Sequence, residues 1–190
     1  PSSQFDADAY VAVREMAREY GIKNFYEIGR HGICHTLFIE KGFARPGELV
    51  ASHDSHSCTY GAFNVASRGI GVIEMLYVLV KGKLWFKVPE TIKVELKGAL
   101  KPPTAAKDIV LYIAGKYGTD FALYKSIEYV GEGAKNLSLW ERVTISNMGI
   151  ELGAKFALFE ADEKTVEYVK ARTDELFTPV KSDPDANFSS

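Results

Sequence analysis

Short runs with strand character alternate with stretches of helical spacing along most of this chain, and that alternation narrows its fold more than any other feature. Val13, Met16, Ala17 and Tyr20 stand at i, i+3, i+4 and i+7, so residues 6–20 predict an amphipathic helix, stopped by Gly21. Asn24 to Ile28 is aromatic and β-branched and predicts a strand, and Glu48 to Ser52, introduced by a Pro46-Gly47 turn, predicts a second. A glycine-rich loop over 61–71 leads into a helix over 72–81, where Ile73, Leu76, Tyr77 and Val80 repeat the helical spacing. Strands are expected at 84–88 and 92–96, a helix at 105–117 and a strand at 124–130. A helix over 138–153 opens on a Ser138/Glu141 capping box, a short strand follows at 157–159, and Asp162 caps a last helix running to about Arg172. Residues 173–190 are polar, carry two prolines and read as extended or loose. Strands alternating with helices imply an α/β protein with a mainly parallel sheet. Pro89 is the expected boundary, giving a first α/β lobe over 1–88, a second over 89–175 and a polar tail over 176–190.

The 190 residues are 46% hydrophobic and 25% charged, an ordinary composition for a soluble domain with a substantial core. A net charge of −2 points to neither nucleic acid nor an anionic membrane as partner. The most apolar stretch, Val72 to Val80, is interrupted by Glu74 and falls well short of the ~18 residues a spanning helix needs. The polar, acidic start carries no secretory pattern, and a first residue Pro1 in place of Met reads as a chain processed or cut from something longer. Two cysteines, Cys34 and Cys58, make a poor disulfide framework, so a reduced, cytoplasmic protein is expected.

The polar chemistry is concentrated. All four histidines, His31, His35, His53 and His56, fall within 26 residues, each pair following a predicted strand. Ligands collect at the carboxyl ends of strands in parallel sheets, so two strand ends bring imidazoles toward one edge. In His53-Asp54-Ser55-His56 a carboxylate adjoins two imidazoles and can fix a tautomer, while Ser55 can donate to a substrate carboxylate. Asn147 and Glu151 stand at i, i+4 on a helix whose neighbours Ile145, Met148 and Leu152 predict burial. A buried carboxylate needs a partner, and a histidine of the cluster is a natural one. The plainer readings are hydrogen-bonded loop histidines, a turn-capping Asp54 and a surface Glu151. Neither His31-x-x-x-His35 nor His53-x-x-His56 is a specific zinc signature, although a stand-alone metal protein using these histidines with Asp54 remains a competing class.

These residues sit inside longer matches. The run GRHGICHTLFIEKGFARPGELVASHDSHSCTYGA (29–62), then KLWFKVPETIKVELKG (83–98), TAAKDIVLYI and TISNMGIELGAK resembles the aconitase superfamily, and within it the large subunits of isopropylmalate dehydratases and homoaconitases. The resemblance runs from about Phe5 to Asp185. It implies three-layer α/β/α lobes and a hydro-lyase that isomerises a malate-type 2-hydroxy acid by removing and restoring water, most closely 2-isopropylmalate to 3-isopropylmalate in leucine biosynthesis, with homoaconitase or another substituted-malate dehydratase as the alternative. It also implies a [4Fe–4S] cluster in the full enzyme, held by three cysteines of a later domain, and as partners the remainder of the large subunit and a small swivelling subunit. By motif, His35 matches G-I-x-H, Asp54, Ser55 and His56 match D-S-H, and Asn147 and Glu151 match N-M-x-x-E. His35, Asp54, His56 and Glu151 are then catalytic, in pairs His35–Asp54 and His56–Glu151, and Ser55 and Asn147 belong to the substrate or cluster environment. Thr36, Ser57 and His53 depart from the family pattern, which usually has Gln, Thr and a small residue there. Cys34 and Cys58 do not match ligand positions, so this chain alone is expected to bind no cluster and to be inactive, and a non-catalytic remnant is a third reading.

Overall fold

A computed structural model describes residues 2–189. Contacts divide the chain into two compact units, Pro1–Leu37 and Phe38–Ser190, each taken by itself below. In the first, helix α1 (Gln4–Glu19) starts where the Ser3 hydroxyl accepts the Asp6 amide at 3.1 Å. Arg14 on α1 grips Glu27 in a two-pronged ion pair, Nε to Oε2 at 2.7 Å and Nη2 to Oε1 at 3.0 Å. The expected strand at 24–28 does not form, and the segment is irregular. Its β-branched and aromatic residues find no strand to pair with among the described residues of this unit, and Arg14 holds it instead. A short helix, α2 (Cys34–Glu40), straddles the boundary between the units.

The second unit holds two all-parallel sheets. Strand β1 (Leu49–Ser52) pairs with β2 (Ala66–Gly69), Leu49 opposite Ala66 and Ser52 opposite Gly69. The crossover between them is a 3-10 helix, Ser55–Phe63. The 61–71 segment read as loop therefore contains the end of that helix and the whole of β2, whose sequence Ala-Ser-Arg-Gly has no apolar alternation to betray it. After α3 (Val72–Lys81), strands β3 (Thr91–Glu95), β4 (Ser126–Val130) and β5 (Phe156–Phe159) form a second sheet in that order. The β3–β4 crossover is α4 (Ala106–Tyr117); the β4–β5 crossover is α5 (Glu132–Asn136), α6 (Leu139–Asn147) and a 3-10 turn, Met148–Leu152. Helix α7 (Glu163–Lys170) follows β5. The α/β class with parallel strands is as expected. The 84–88 segment is not a strand: Trp85 and Val88 are 84% and 86% exposed, without a neighbouring strand to take up the backbone.

Pro89 is not where the chain divides. The Ser55–Phe63 helix packs against β2 and also against β5 and α6, which joins residues before and after Pro89 into one unit. The larger core gathers Val110, Ile113, Ile127, Tyr129, Ile145, Leu152 and Phe159, with Tyr129 stacked on Phe159 at 5.0 Å. The tail is extended but tethered: the Val180 amide donates to Asn64 Oδ1 at 2.9 Å and the Ser189 amide to the Thr91 carbonyl at 2.8 Å.

One charge lies inside this core. Arg142 on α6 is 1% exposed and donates from Nη2 to Asp162 Oδ2 at 2.5 Å, while Asp162 Oδ1 accepts the Thr165 amide at the start of α7. Partial burial alone would raise the Asp162 pKa, but the Arg142 and Thr165 hydrogen bonds outweigh it and leave it below the ordinary carboxylate value. A depressed folded pKa contributes stability that is complete above the unfolded value and is lost as pH falls through the folded one. Asp162→Ala is expected to lower the unfolding free energy at neutral pH by about 3 kcal/mol, because it strands the Arg142 charge and removes a helix cap. In urea melts the gap to the unaltered chain should begin to narrow as pH falls below about 4, where the unfolded carboxylate protonates, and go on narrowing until Asp162 protonates in the folded state as well; a gap independent of pH would contradict the pairing.

Candidate active site

The carboxyl end of β1 delivers the polar tetrapeptide. Gly69, which ends β2, lies so close to the Asp54 carbonyl that any side chain at 69 would collide with it, fixing the two strand ends together. Asp54 then caps the 3-10 helix: its Oδ1 accepts the His56 amide at 2.8 Å, and its carbonyl accepts the Ser57 hydroxyl at 2.6 Å. This cap sets the His56 backbone. The ring is held at both nitrogens, with Ser55 Oγ 2.9 Å from Nδ1 and Glu151 Oε1 3.2 Å from Nε2. The His56 and Glu151 side chains are 37% and 60% exposed, so the pair faces solvent.

Glu151 is thus exposed, not buried as its neighbours implied. The reason is the break in helix type after Asn147. Four residues of α-helix turn about 400° and return a side chain to nearly the same face, whereas four residues of 3-10 helix turn about 480° and leave the two roughly 120° apart. Asn147 turns inward, where its Nδ2 donates to Thr59 Oγ1 at 2.8 Å, and Glu151 turns out to His56.

His53 Nδ1 lies 3.1 Å from the Ile70 carbonyl and therefore carries the proton there. His31 packs edge-on against Tyr26 in the first unit, with ring centroids 4.9 Å apart. His35 lies in the first turn of α2, on the first unit's side of the division.

Sequence reasoning missed Thr59, and missed that Ser57, Cys58 and Thr59 are three consecutive buried residues. Their signal was an unbroken run of small residues with neither helical nor strand periodicity. The Thr59 hydroxyl donates to the His56 carbonyl at 2.5 Å, and the Cys58 thiol donates to the Asn147 carbonyl at 3.5 Å. Burial pushes the Cys58 thiol up to about 11, so it stays protonated at neutral pH.

Residues 2–187 match the Aconitase family (aconitate hydratase). The chain belongs to the aconitase family. It is 52% identical over 177 residues to the 3-isopropylmalate dehydratase large subunit of Caldicellulosiruptor saccharolyticus, a match covering 93% of this chain and 41% of that protein. It is 47% identical over 176 residues to the probable methanogen homoaconitase large subunit of Methanosarcina mazei, covering 93% and 45%. A third relative, 3-isopropylmalate dehydratase large subunit 1 of Methanopyrus kandleri, is 45% identical over 182 residues, covering 96% and 43%. The chain spans less than half the length of these relatives. Among the described residues of this aconitase-family chain, no helix is long and apolar enough to cross a membrane.

The two thiols differ sharply, Cys34 being exposed and Cys58 buried. Ellman titration near pH 7.5 should therefore give one fast thiol per native chain and the second only on unfolding; two fast thiols would contradict the burial of Cys58.

Proposed function

We propose that this chain forms part of the active site of an aconitase-family hydro-lyase that isomerises a 2-hydroxy acid by dehydration and rehydration, with 2-isopropylmalate to 3-isopropylmalate, a step of leucine biosynthesis, as the reaction. The observation that carries the reading is the His56–Glu151 contact, which joins the D-S-H and N-M-x-x-E motifs across 95 residues of sequence. Relatives at 52% identity named 3-isopropylmalate dehydratase large subunit support the choice of substrate. The 47% identity to a probable homoaconitase large subunit keeps homocitrate chemistry as the second reading.

Dehydration breaks a C–O bond, with a proton joining the departing hydroxyl to give water, and a C–H bond on the neighbouring carbon, whose electron pair becomes the double bond while its proton passes to a base assigned, like the cluster, to the rest of the enzyme. Rehydration reverses both with the positions exchanged. A proton shared between His56 Nε2 and Glu151 Oε1 can pass to the departing oxygen and be recovered on readdition. Ser55, at Nδ1, holds the ring's far side. Asp54 acts on the backbone, presenting His56 through its cap, and Asn147 borders the substrate. His35 is assigned by its motif.

Family membership implies a [4Fe–4S] cluster in the full enzyme. The thiols of this chain do not fit its ligand set: the sequence has two cysteines, one of them a buried, protonated thiol bonded to the Asn147 carbonyl. The cluster is therefore assigned to cysteines outside this chain, and the partners to the rest of a large subunit and a small subunit.

In the complete enzyme, assayed on 2-isopropylmalate and homocitrate, turnover of 2-isopropylmalate is expected. His56→Ala should lower kcat by about 10²–10⁴, and Glu151→Gln by at least about tenfold with little change in KM. Undiminished turnover in His56→Ala, or turnover of homocitrate alone, overturns the residue or the substrate assignment respectively. Stoichiometric iron and sulfide on this chain alone overturns the cluster assignment.

A further inference from the structure

Thr59 is fully buried, one turn into the 3-10 helix, and touches both halves of the candidate site. A threonine hydroxyl has one proton to give. Here that proton goes to the His56 carbonyl at 2.5 Å, because a carbonyl can only accept. Toward Asn147 the oxygen must therefore accept, and the group facing it at 2.8 Å must be the amide nitrogen. The proton inventory fixes which way the Asn147 amide is turned, a choice that heavy-atom positions alone leave open. The Asn147 main chain is held as well, by the Cys58 thiol on its carbonyl. Asn147 Oδ1 then receives no hydrogen bond from the described residues and stands as an acceptor at a part-buried position, four residues before Glu151.

We propose that Thr59 is a positioning residue: its hydroxyl locks the Asn147 amide with Nδ2 inward and Oδ1 outward, so that Asn147 recognises a hydroxyl donor, while the same hydroxyl anchors the backbone of His56. The ligand class, a 2-hydroxy dicarboxylate, rests on the hydro-lyase reading above; the amide orientation does not. An acceptor at this position separates a hydroxy acid from the same acid without its hydroxyl. Neither a valine nor an alanine at 59 can supply the lock, and a serine can.

The test reads the Asn147 side-chain amide by ¹⁵N NMR in the chain, with its signals assigned by their loss in Asn147→Asp. In the unaltered chain one Nδ2 proton should exchange about fivefold more slowly than that of a free asparagine, as one modest hydrogen bond requires. Protection should vanish in Thr59→Val and return in Thr59→Ser. Exchange at the free rate in the unaltered chain overturns the proposal without any variant, should Thr59→Val fail to fold. Protection surviving in a folded Thr59→Val overturns it too. In a second arm, in the complete enzyme, malate should bind about fivefold better than succinate with Thr59 unaltered and in Thr59→Ser, and equally in Thr59→Val. A preference for malate unchanged in Thr59→Val overturns the recognition role. Binding of neither acid by the complete enzyme counts against the hydro-lyase reading alone, since the amide signature is measured without ligand.

Discussion

Seven consecutive residues, Ser57 to Phe63, are buried with no periodicity, and the rest of the second unit is arranged around making that burial tolerable. A buried polar group costs free energy unless it is bonded. The segment solves this within itself: Ser57 and Thr59 return their hydroxyl protons to carbonyls three residues earlier. Its small residues then allow close approach. Gly61 has the Ala157 carbonyl where a side chain would begin, so β5 can lie directly on the 3-10 helix. Both ends are pinned, the first by the Asp54 cap and the second by Asn64, which closes the helix in the left-handed conformation. The Asn64 side chain donates to the Phe159 carbonyl at 3.1 Å and accepts from Val180. One crossover connection thus orients β1, β2, β5 and the tail together.

The site inherits its geometry from that segment. His56 is the second residue of the 3-10 helix that contains it, and Asn147 and Glu151 come from α6 and the following 3-10 turn, both of which pack against that helix. The change from α-helix to 3-10 helix after Asn147 splits two side chains that an unbroken helix would align, one toward the buried Thr59 and one toward His56. Gly149 makes the turn possible, because a side chain there would strike the Ala157 methyl. The contacts that close the core and those that aim the functional groups are therefore the same contacts.

Helix α3 was legible to the residue, since its apolar spacing is regular and Gly82 stops it in the left-handed conformation. The strands β1, β3, β4 and β5 were legible within two residues, being β-branched or aromatic runs bounded by turn signals. Strand β2 was not, because Ala-Ser-Arg-Gly carries no such pattern and its pairing with β1 is a long-range fact. The opposite error occurred at 24–28 and 84–88, where strand-like composition meets no partner strand: propensity describes what fits a sheet, and a sheet must be present. Among site residues, His56 and Glu151 could be named from motif, but the exposure of Glu151 and the part played by Thr59 could not. Both depend on a helix-type change that apolar spacing does not encode.

The exposure of the His56–Glu151 pair carries its own energetic lesson. Side chains 37% and 60% exposed interact across water, and such a pair contributes at most about 1 kcal/mol. General acid–base catalysis of 10²–10⁴ corresponds to about 3–5 kcal/mol of transition-state stabilisation, well beyond what a screened pair supplies. The second unit fixes the direction of the His56 ring and the Glu151 carboxylate without drying them. Direction is the slower thing to build, because it depends on the buried 3-10 segment, the Gly69 contact and the Asn147 clamp acting together. Water exclusion can be added by any surface that closes over the pair.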